Sequence, residues 1–314
     1  MRMQLQLALL FATIFVCLMH AEPAPAQAHV FVSAGGSDGN PCTFTSTCRS
    51  FQHAHDIVAP NGEINVLDPA GYGPLTINKS VSIHGYSVAA ISVPSGASGI
   101  TIRAPGAAVT LNGLIIDGAG VGATGILLNA GSSLTIQNCF LSNLVSNGVD
   151  IEPSLSPSGT FISVSRTNIS NNRSGTAIYI KPTGQGPVQV TVNGSELKLN
   201  SRGLFLDGTS SASSTKIIAT VVDSIAAGNS NEGFSSISSP GAAAATIMLF
   251  HSVSADNAIG VNAVDAVVRL ANSMLTGNGE AWLASSGGSV LSYGDNYIDG
   301  NSGAETAPPS ISRK

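Results

Sequence analysis

Short runs of Val, Ile and Leu recur along most of the chain, separated by polar residues, Gly and Asn. Several runs alternate apolar and polar residues with the period of two that is typical of β-strands. From Leu75 to His84, for example, Leu75, Ile77, Val81 and Ile83 form the apolar set. A helical repeat would need runs of roughly 10–15 residues at helical period, and none is present. The pattern therefore predicts many short strands.

From about residue 88 to residue 303 the strands fall into repeats that align on a recurrent asparagine. The aligned residues are Asn143, Asn172, Asn200, Asn229, Asn257, Asn278 and Asn301. The gaps between them are 29, 28, 29, 28, 21 and 23 residues. Five positions earlier stand small polar residues: Asn138, Thr167, Ser195, Ser224, Ser252, Ser273 and Asn296. Soon after the Asn comes a Gly and then an apolar pair, as in Gly203–Leu204–x–Leu206.

A period in the twenties with short strands predicts a solenoid whose coils stack, so that equivalent residues form ladders. In such a ladder each Asn at a bend can adopt a left-handed conformation and hydrogen-bond its stacked copy. A two-sheet sandwich is the alternative, since it also gives turn signals every 8–12 residues or so. The sandwich does not predict columns of aligned Asn.

Residues 29–85 differ from the repeats and predict an N-terminal cap with the first coils. Ser50 can cap a short helix over residues 51–59, which Pro60-Asn61-Gly62 would end. The stretch VSAGGSDGNPCTFTSTCRSFQHA, followed by GEINVLDPAGYGPLTINKSVSIHG, resembles the N-terminal part of pectin-lyase-like β-helix proteins. The ending SYGDNYIDGN is similar to a final β-helix turn.

This resemblance covers about residues 29–303 and implies an all-β fold, a single-stranded right-handed parallel β-helix with a short N-terminal capping helix. The β-helix proper is expected over residues 86–303, with a flexible tail over 304–314. The superfamily includes lyases, hydrolases, esterases, adhesins and structural shafts, so the resemblance predicts the fold and leaves the activity open.

The first 28 residues are interpreted as a signal peptide. Arg2 provides a positive start, Leu5 to Met19 an apolar core, and Ala26-Gln27-Ala28 the small residues of a cleavage site. A membrane anchor is the alternative, but the apolar run is shorter than the ~20 residues that a spanning helix needs. No later segment could span a membrane. We therefore expect a secreted or periplasmic protein.

Export predicts an oxidising compartment, in which Cys42 and Cys48 can form a disulfide across a short polar loop. Two free thiols are the alternative. Cys139 falls in an apolar repeat and is predicted to be a buried free thiol. No third or fourth ligand lies at a useful spacing for a metal, so no metal site and no cofactor are predicted. Ca²⁺ stays open, without a motif that supports it.

Three charged residues are predicted to lie on consecutive coils. Glu152, Lys181 and Asp207 each follow the last apolar residue of the strand after the Gly. If the protein is an enzyme, Lys181 is the candidate base or substrate clamp and the two carboxylates are its neighbours. An ordinary ladder of opposite charges is the alternative. The hydrolase signatures of the resembled superfamily, such as Asp-Asp and Gly-His-Gly, are absent.

Arg173, Lys198 and Arg202 lie near the Asn bend and are candidate binding residues for an acidic polysaccharide, or simply solvated surface. Only 10% of residues are charged and the net charge is −5, which gives no support for a nucleic-acid partner. The leading hypothesis is an exported β-helix protein that contacts a polysaccharide. The alternatives are a non-catalytic surface scaffold and a lyase that acts on uronate polymers.

Overall fold

Strands from successive coils lie side by side along nearly the whole chain. The computed structural model describes residues 27–154, 158–184, 186–303 and 305–313. One helix is described, α1 (Phe51–Ile57). The strands of the first half are β1 (Gln27–Val32), β2 (Val58–Val66), β3 (Ala70–Gly71), β4 (Leu75–Ile77), β5 (Val81–Ser92), β6 (Ser98–Arg103), β7 (Ala108–Asp117), β8 (Thr124–Ala130), β9 (Ser133–Gln137), β10 (Phe140–Ser142), β11 (Val149–Ile151), β12 (Thr160–Ser165), β13 (Asn168–Ser170) and β14 (Thr176–Ile180).

The remaining strands repeat the same arrangement toward the C-terminus. They are β15 (Val188–Asn193), β16 (Glu196–Lys198), β17 (Arg202–Asp207), β18 (Lys216–Val222), β19 (Ile225–Ala227), β20 (Glu232–Ile237), β21 (Ala244–Phe250), β22 (Val253–Ala255), β23 (Ile259–Val264), β24 (Val267–Ala271), β25 (Met274–Thr276), β26 (Glu280–Ser285), β27 (Ser289–Ser292) and β28 (Tyr297–Ile298).

All pairings between these strands are parallel, and they form two sheets. The nine-stranded sheet has the order β26-β23-β20-β17-β14-β11-β8-β6-β4, so each neighbour comes from the next coil. The other sheet contains nineteen strands and is formed by the rest of each coil. The predicted parallel β-helix is confirmed, and the antiparallel sandwich is wrong.

The interior is a continuous apolar stack. In eight strands of the nine-stranded sheet the inward residue before the middle of the strand is fully or almost fully buried, whereas the equivalent residue of β26, Trp282, is partly buried. The eight buried residues are Leu75, Ile100, Ile126, Val149, Ile178, Leu204, Phe234 and Val261. Each such side chain contributes roughly 1.5–3 kcal/mol when it is removed from water. The stacked interior therefore supplies the main driving force for folding.

A buried asparagine ladder runs from Asn172 to Asn301 at one bend. Each side-chain amide donates to the Asn Oδ1 of the next coil, over 2.8–3.3 Å. Asn143 is not part of this ladder, contrary to the sequence alignment. The backbone N–H of Leu144 donates to Asn172 Oδ1 in the way that Asn172 N–H donates to Asn200 Oδ1, so Leu144 is the equivalent residue.

The left-handed conformation at this bend belongs to the residue before the ladder Asn, which corrects the sequence interpretation. The φ angles are 60° at Asn143, 60° at Asn171, 57° at Leu199 and 63° at Gly228. Asn and Gly tolerate this region, which explains why the column before the ladder contains Asn in its first coils and Gly in later ones. In the first repeat, the sequence pattern therefore assigned Asn143, a residue of the left-handed column, to the ladder column.

The column of small polar residues forms a second buried ladder, again shifted by one residue at its start. Thr167 N–H donates to Ser195 Oγ over 3.2 Å, and Cys139 N–H donates to Thr167 Oγ1 over 3.3 Å. Cys139, and not Asn138, therefore occupies the ladder position. Cys139 is free and buried as predicted, and burial raises the pKa of its thiol to about 11.

The two ends of the solenoid are covered. At the first coil α1 starts at the predicted cap, where Ser50 Oγ accepts from His53 N–H over 3.2 Å. Its last turn is shorter than predicted, because residues 58 and 59 begin β2. The predicted disulfide between Cys42 and Cys48 is present and buried. Most of the predicted signal peptide, residues 1–26, lies outside the described residues.

The segment predicted as a tail, residues 304–314, contacts the last coil in its described part. The N–H of Ser292 donates to Pro309 O over 2.9 Å, and the N–H of Ile311 donates to Ser292 O over 2.8 Å. Trp282 Nε1 donates to Thr306 O over 2.7 Å. These bonds continue the parallel ladder one step beyond β27.

Candidate functional site

The outer surface of the nine-stranded sheet, called the site face here, carries one central row of outward residues. Successive coils contribute Thr76, Thr101, Leu127, Asp150, Tyr179, Phe205, Ser235, Asn262 and Leu283, each in register with the next. Side chains alternate across a strand, so these residues point away from the apolar interior. No two consecutive members of the row from Leu127 to Leu283 are of the same type.

An aromatic pair lies in the middle of the row. The rings of Tyr179 and Phe205 are stacked, with centroids 5.3 Å apart and planes inclined by 17°. The Arg202 guanidinium lies 4.7 Å from the centre of the Phe205 ring. Tyr179 donates its hydroxyl to Asp207 Oδ2 over 3.1 Å. Burial, followed by the Asp207 charge, raises the pKa of Tyr179, which keeps the hydroxyl a hydrogen-bond donor at neutral pH.

Two ion pairs flank the aromatic pair. Lys181 Nζ lies 3.2 Å from Asp207 Oδ2, and Arg202 Nε lies 2.5 Å from Glu232 Oε2. Asp207 is buried, which opposes its ionisation, but two hydrogen bonds from Thr209 and the Lys181 ammonium outweigh burial and lower its pKa. Both cations remain partly accessible, with about a third of each side chain exposed. The face therefore offers charged donors beside a stacked apolar surface.

Asp150 precedes Tyr179 in the row and is 9% exposed. Its Oδ2 accepts from Asn147 Nδ2 over 2.7 Å, and Asn147 Oδ1 in turn accepts from Thr176 N–H over 2.9 Å. Burial raises the pKa of Asp150 to about 6; Glu152 adds to the increase, while the Asn147 hydrogen bond and Lys181 oppose it. The other oxygen, Oδ1, has no hydrogen-bond partner among the described residues.

Unpaired buried polar atoms are concentrated on this face. Six buried side-chain atoms of the described residues have no partner, and four of them lie here. These four are Asn129 Oδ1, Asp150 Oδ1, Ser235 Oγ and Asn262 Oδ1. Because buried polar groups in folded proteins are normally hydrogen-bonded, these four atoms, spread over several coils, are free to accept hydrogen bonds from water or a ligand.

The residues predicted to share consecutive coils do so. Ile151, Ile180 and Leu206 are paired in register, so Glu152, Lys181 and Asp207 follow one another along the edge of the site face. Among the described ion pairs, Lys181 joins Asp207 and none joins Glu152. The three residues therefore form a neighbouring set, in which the charge of Glu152 is left without a direct cationic partner.

The predicted basic group is divided among three elements. Arg202 lies on β17 of the site face, beside Phe205 and Glu232. Lys198 lies on β16 of the nineteen-stranded sheet and pairs with Glu196 over 2.9 Å. Arg173 lies in the bend between β13 and β14, where its Nε donates to Asn171 Oδ1 over 2.9 Å. Of these three candidates, the structure brings only Arg202 into contact with the aromatic pair.

Sequence reasoning did not single out Asp150, Tyr179 and Phe205. The sequence does mark these residues, because each occupies the variable position between the two apolar residues that follow the Gly. For metal ligands, the described residues contain one group of three neighbouring candidates, Cys42, Cys48 and His53. The disulfide removes both thiolates of that group, so it offers no metal centre.

Comparison with known proteins identifies the fold. Residues 30–222 match the family model described as right handed beta helix region. The structure is similar to pectate lyase Pel9A, with a TM-score of 0.58 and 16% identity over 84% of this chain and 74% of that chain. It is also similar to the A-module of mannuronan C-5 epimerase AlgE6 from Azotobacter vinelandii, with a TM-score of 0.52 and 14% identity over 77% of this chain and 74% of that chain.

No curated protein matches the chain in sequence. The identities of the two similar structures are low, so the similarity establishes the architecture and not an activity. Within the described part of the chain, no helix has both the length and the apolar character needed to cross a bilayer.

Proposed function

The chain belongs to the right-handed β-helix family, and on this scaffold we propose that the site face binds a polysaccharide. One observation carries the proposal: the stacked Tyr179–Phe205 pair lies between two partly exposed ion pairs on a single face. Sugar rings combine apolar faces with hydroxyl groups. Aromatic side chains with a few placed polar groups are the usual way to bind such ligands.

The geometry also gives each neighbour a role. Phe205 is held from one side by Tyr179 and from the other by the Arg202 guanidinium, so its ring is fixed before a ligand arrives. Lys181 and Arg202 can donate to ligand oxygens with the protons that their carboxylate partners do not use. A polymer lying along the helix axis would meet these groups on successive coils, which are about 4.8 Å apart.

The similar structures motivate the ligand class. One is a pectate lyase and the other a mannuronan epimerase, and both pectate and mannuronan are polysaccharides. Export also belongs to the proposal, supported by the signal-like N-terminus and by the Cys42–Cys48 disulfide. Fractionation of cells that produce the full chain tests it; retention of the intact chain in the cytoplasm would contradict export.

Binding, rather than catalysis by Lys181, is the function that the geometry favours. An ammonium already paired with a carboxylate is a poor general base, since deprotonation would leave Asp207 buried and unpaired. We therefore assign Lys181 to ligand contact, and the buried Asp207 to holding the Lys181 ammonium in place. A lyase would reveal itself by the absorbance of unsaturated products when the protein is incubated with uronate polymers, with and without Ca²⁺.

The test is a binding screen against neutral and uronate-containing oligosaccharides, followed by titration of the best ligand. Tyr179→Ala is expected to weaken binding about five- to tenfold, since a stacking contact is worth roughly 0.5–1.5 kcal/mol. Phe205 is buried against Tyr179 and Arg202, so Phe205→Leu is expected to weaken binding by a smaller factor, through the loss of support for the Tyr179 ring. Phe161→Ala is the matched control, because Phe161 is an exposed aromatic residue on the nineteen-stranded sheet. Circular dichroism confirms that each variant is folded.

Two results would overturn the proposal. If no oligosaccharide binds the folded protein, the chain is a scaffold rather than a carbohydrate receptor. If Phe161→Ala weakens binding as much as Tyr179→Ala does, the ligand lies on the other sheet.

A further inference from the structure

The charges of the site face do not balance. Lys181 pairs with Asp207 and Arg202 pairs with Glu232, whereas the exposed Arg103 at the end of β6 joins none of the described ion pairs. Of the acidic groups, Asp150 on β11 and Glu152, which directly follows β11, remain; they are two residues apart, so their side chains leave the chain on the same side. The coil that precedes the aromatic pair therefore carries two acidic groups without a direct cationic partner among the described residues.

Asp150 is the buried member of these two. In its own coil its neighbours are Asn147 before β11 and Glu152 after it, and in the next coil they are Tyr179 on β14 and Lys181 directly after β14. On β8 the residue in register is Leu127, which is uncharged. Among the described residues, the one hydrogen bond to the Asp150 carboxyl comes from the neutral amide of Asn147.

Such a setting makes the charge of Asp150 depend on mild changes of pH. Burial, with a smaller contribution from Glu152, places its pKa at about 6. When Asp150 is ionised, a negative charge lies next to Tyr179 in a region of low dielectric constant, where it acts strongly on nearby charges. When it is protonated, the same position is neutral.

We propose that Asp150 sets the selectivity of the site face between acidic and neutral glycans: its protonated form admits a uronate, and its ionised form repels one. This inference rests on the proposed function and adds the property by which the ligand is selected. Asp150 acts through its charge and needs no contact with the ligand. A neutral sugar at the same place is affected far less, because it carries no charge for Asp150 to repel.

The experiment uses two probes that differ in charge alone, an oligogalacturonate and its methyl ester. A uronate carboxyl has a pKa of roughly 3.5 and stays ionised at pH 5 and at pH 8. For the full chain, the affinity of the acid relative to the ester is expected to rise about tenfold from pH 8 to pH 5, the order expected for like charges at short range near a protein surface. In Asp150→Asn the ratio is expected to be the same at both pH values.

Two further variants make the test specific. Asp256→Asn is the control, since Asp256 is an exposed carboxyl at a bend away from the site face, and it should behave like the unmodified chain. Glu152→Gln removes the charge that helps to keep Asp150 protonated. The pH midpoint of the ratio should then move downward, and this readout does not depend on Asp150→Asn being folded.

The outcomes separate this inference from the function on which it rests. If both probes bind and the ratio does not change with pH, or changes equally in Asp150→Asn, Asp150 is not the selecting group, while carbohydrate binding stands. If neither probe binds at either pH and no other glycan does, both proposals are wrong.

Discussion

Two vertical rows of stacked residues, built by the same repeat, differ in chemistry. The ladder from Asn172 to Asn301 repeats one residue in every coil, and its buried amides are hydrogen-bonded to one another. The central row of the site face changes residue in nearly every coil and leaves Asp150, Ser235 and Asn262 with unpaired buried atoms. The uniform ladder stabilises the scaffold. The variable row lowers stability, but it provides the surface on which a ligand can bind.

The largest expected effect comes from breaking the uniform row. Asn229 donates to Leu197 O and to Asn257 Oδ1, and its Oδ1 accepts from the backbone N–H of Asn200. Asn229→Ala leaves these buried groups unpaired and should lower the free energy of unfolding by about 2–4 kcal/mol, measured by urea denaturation. Asn231→Ala, at an exposed neighbour whose amide donates to Ser201 Oγ, should lower it by only about 0.5–1.5 kcal/mol. Equal effects would mean that the ladder is not a special source of stability.

An effect of opposite sign is expected in the variable row. The raised pKa of Asp150 means that the folded state holds the proton more tightly than the unfolded state. Its contribution to stability is therefore present at low pH and is lost as the pH rises from about 4 to about 6. Asp150→Asn should consequently raise the free energy of unfolding by about 1–3 kcal/mol at pH 8 and change it little at pH 4.

Thermal denaturation of both proteins across this pH range checks the expectation. Asp207 has the opposite pH dependence: its pKa is lowered by folding, so its ionised form stabilises the fold above the unfolded pKa, and this contribution is lost as the pH falls. Because both proteins contain Asp207, its contribution cancels when their stabilities are compared. A destabilised Asp150→Asn at pH 8 would show that the charge of Asp150 supports the fold.

The smallest effect is expected at Leu199, which directly precedes the ladder residue Asn200. Leu199 has a φ of 57° and is largely exposed, while the equivalent residue of the next coil is Gly228. Leu199→Gly should raise the free energy of unfolding by about 0.5–1 kcal/mol, because the left-handed strain exceeds the entropy cost of Gly. Gly228→Ala should lower it by about 1 kcal/mol. Chemical denaturation measures both, and a loss in Leu199→Gly would contradict the strain.

The sequence predicted the fold because the solenoid repeats its interior. The column that includes Leu204 and Leu206 can be aligned without a structure, and Glu152, Lys181 and Asp207 were placed correctly because they follow that column directly. The alignment failed at Asn143, since the left-handed position and the ladder position both accept Asn. Local sequence alone does not distinguish the two positions.

The centre of the site face could not be found in the same way. A residue such as Phe205 has no counterpart of its own type in the coils next to it, so it leaves no column to align. Closeness in the sequence was also misleading for Lys198 and Arg202. The bend at Asn200 lies between them and directs their strands into different sheets.

The contacts of residues 305–313 with β27 have a consequence for how copies of this protein meet. A stack of coils ends in a strand whose amide and carbonyl groups point along the axis, and such an edge can recruit the strand of another molecule. Here the edge at Ser292 is already occupied by Pro309 and Ile311 of the same chain. The edge of β27 is thus covered by the same chain, and end-to-end association through this edge would first require that segment to be displaced.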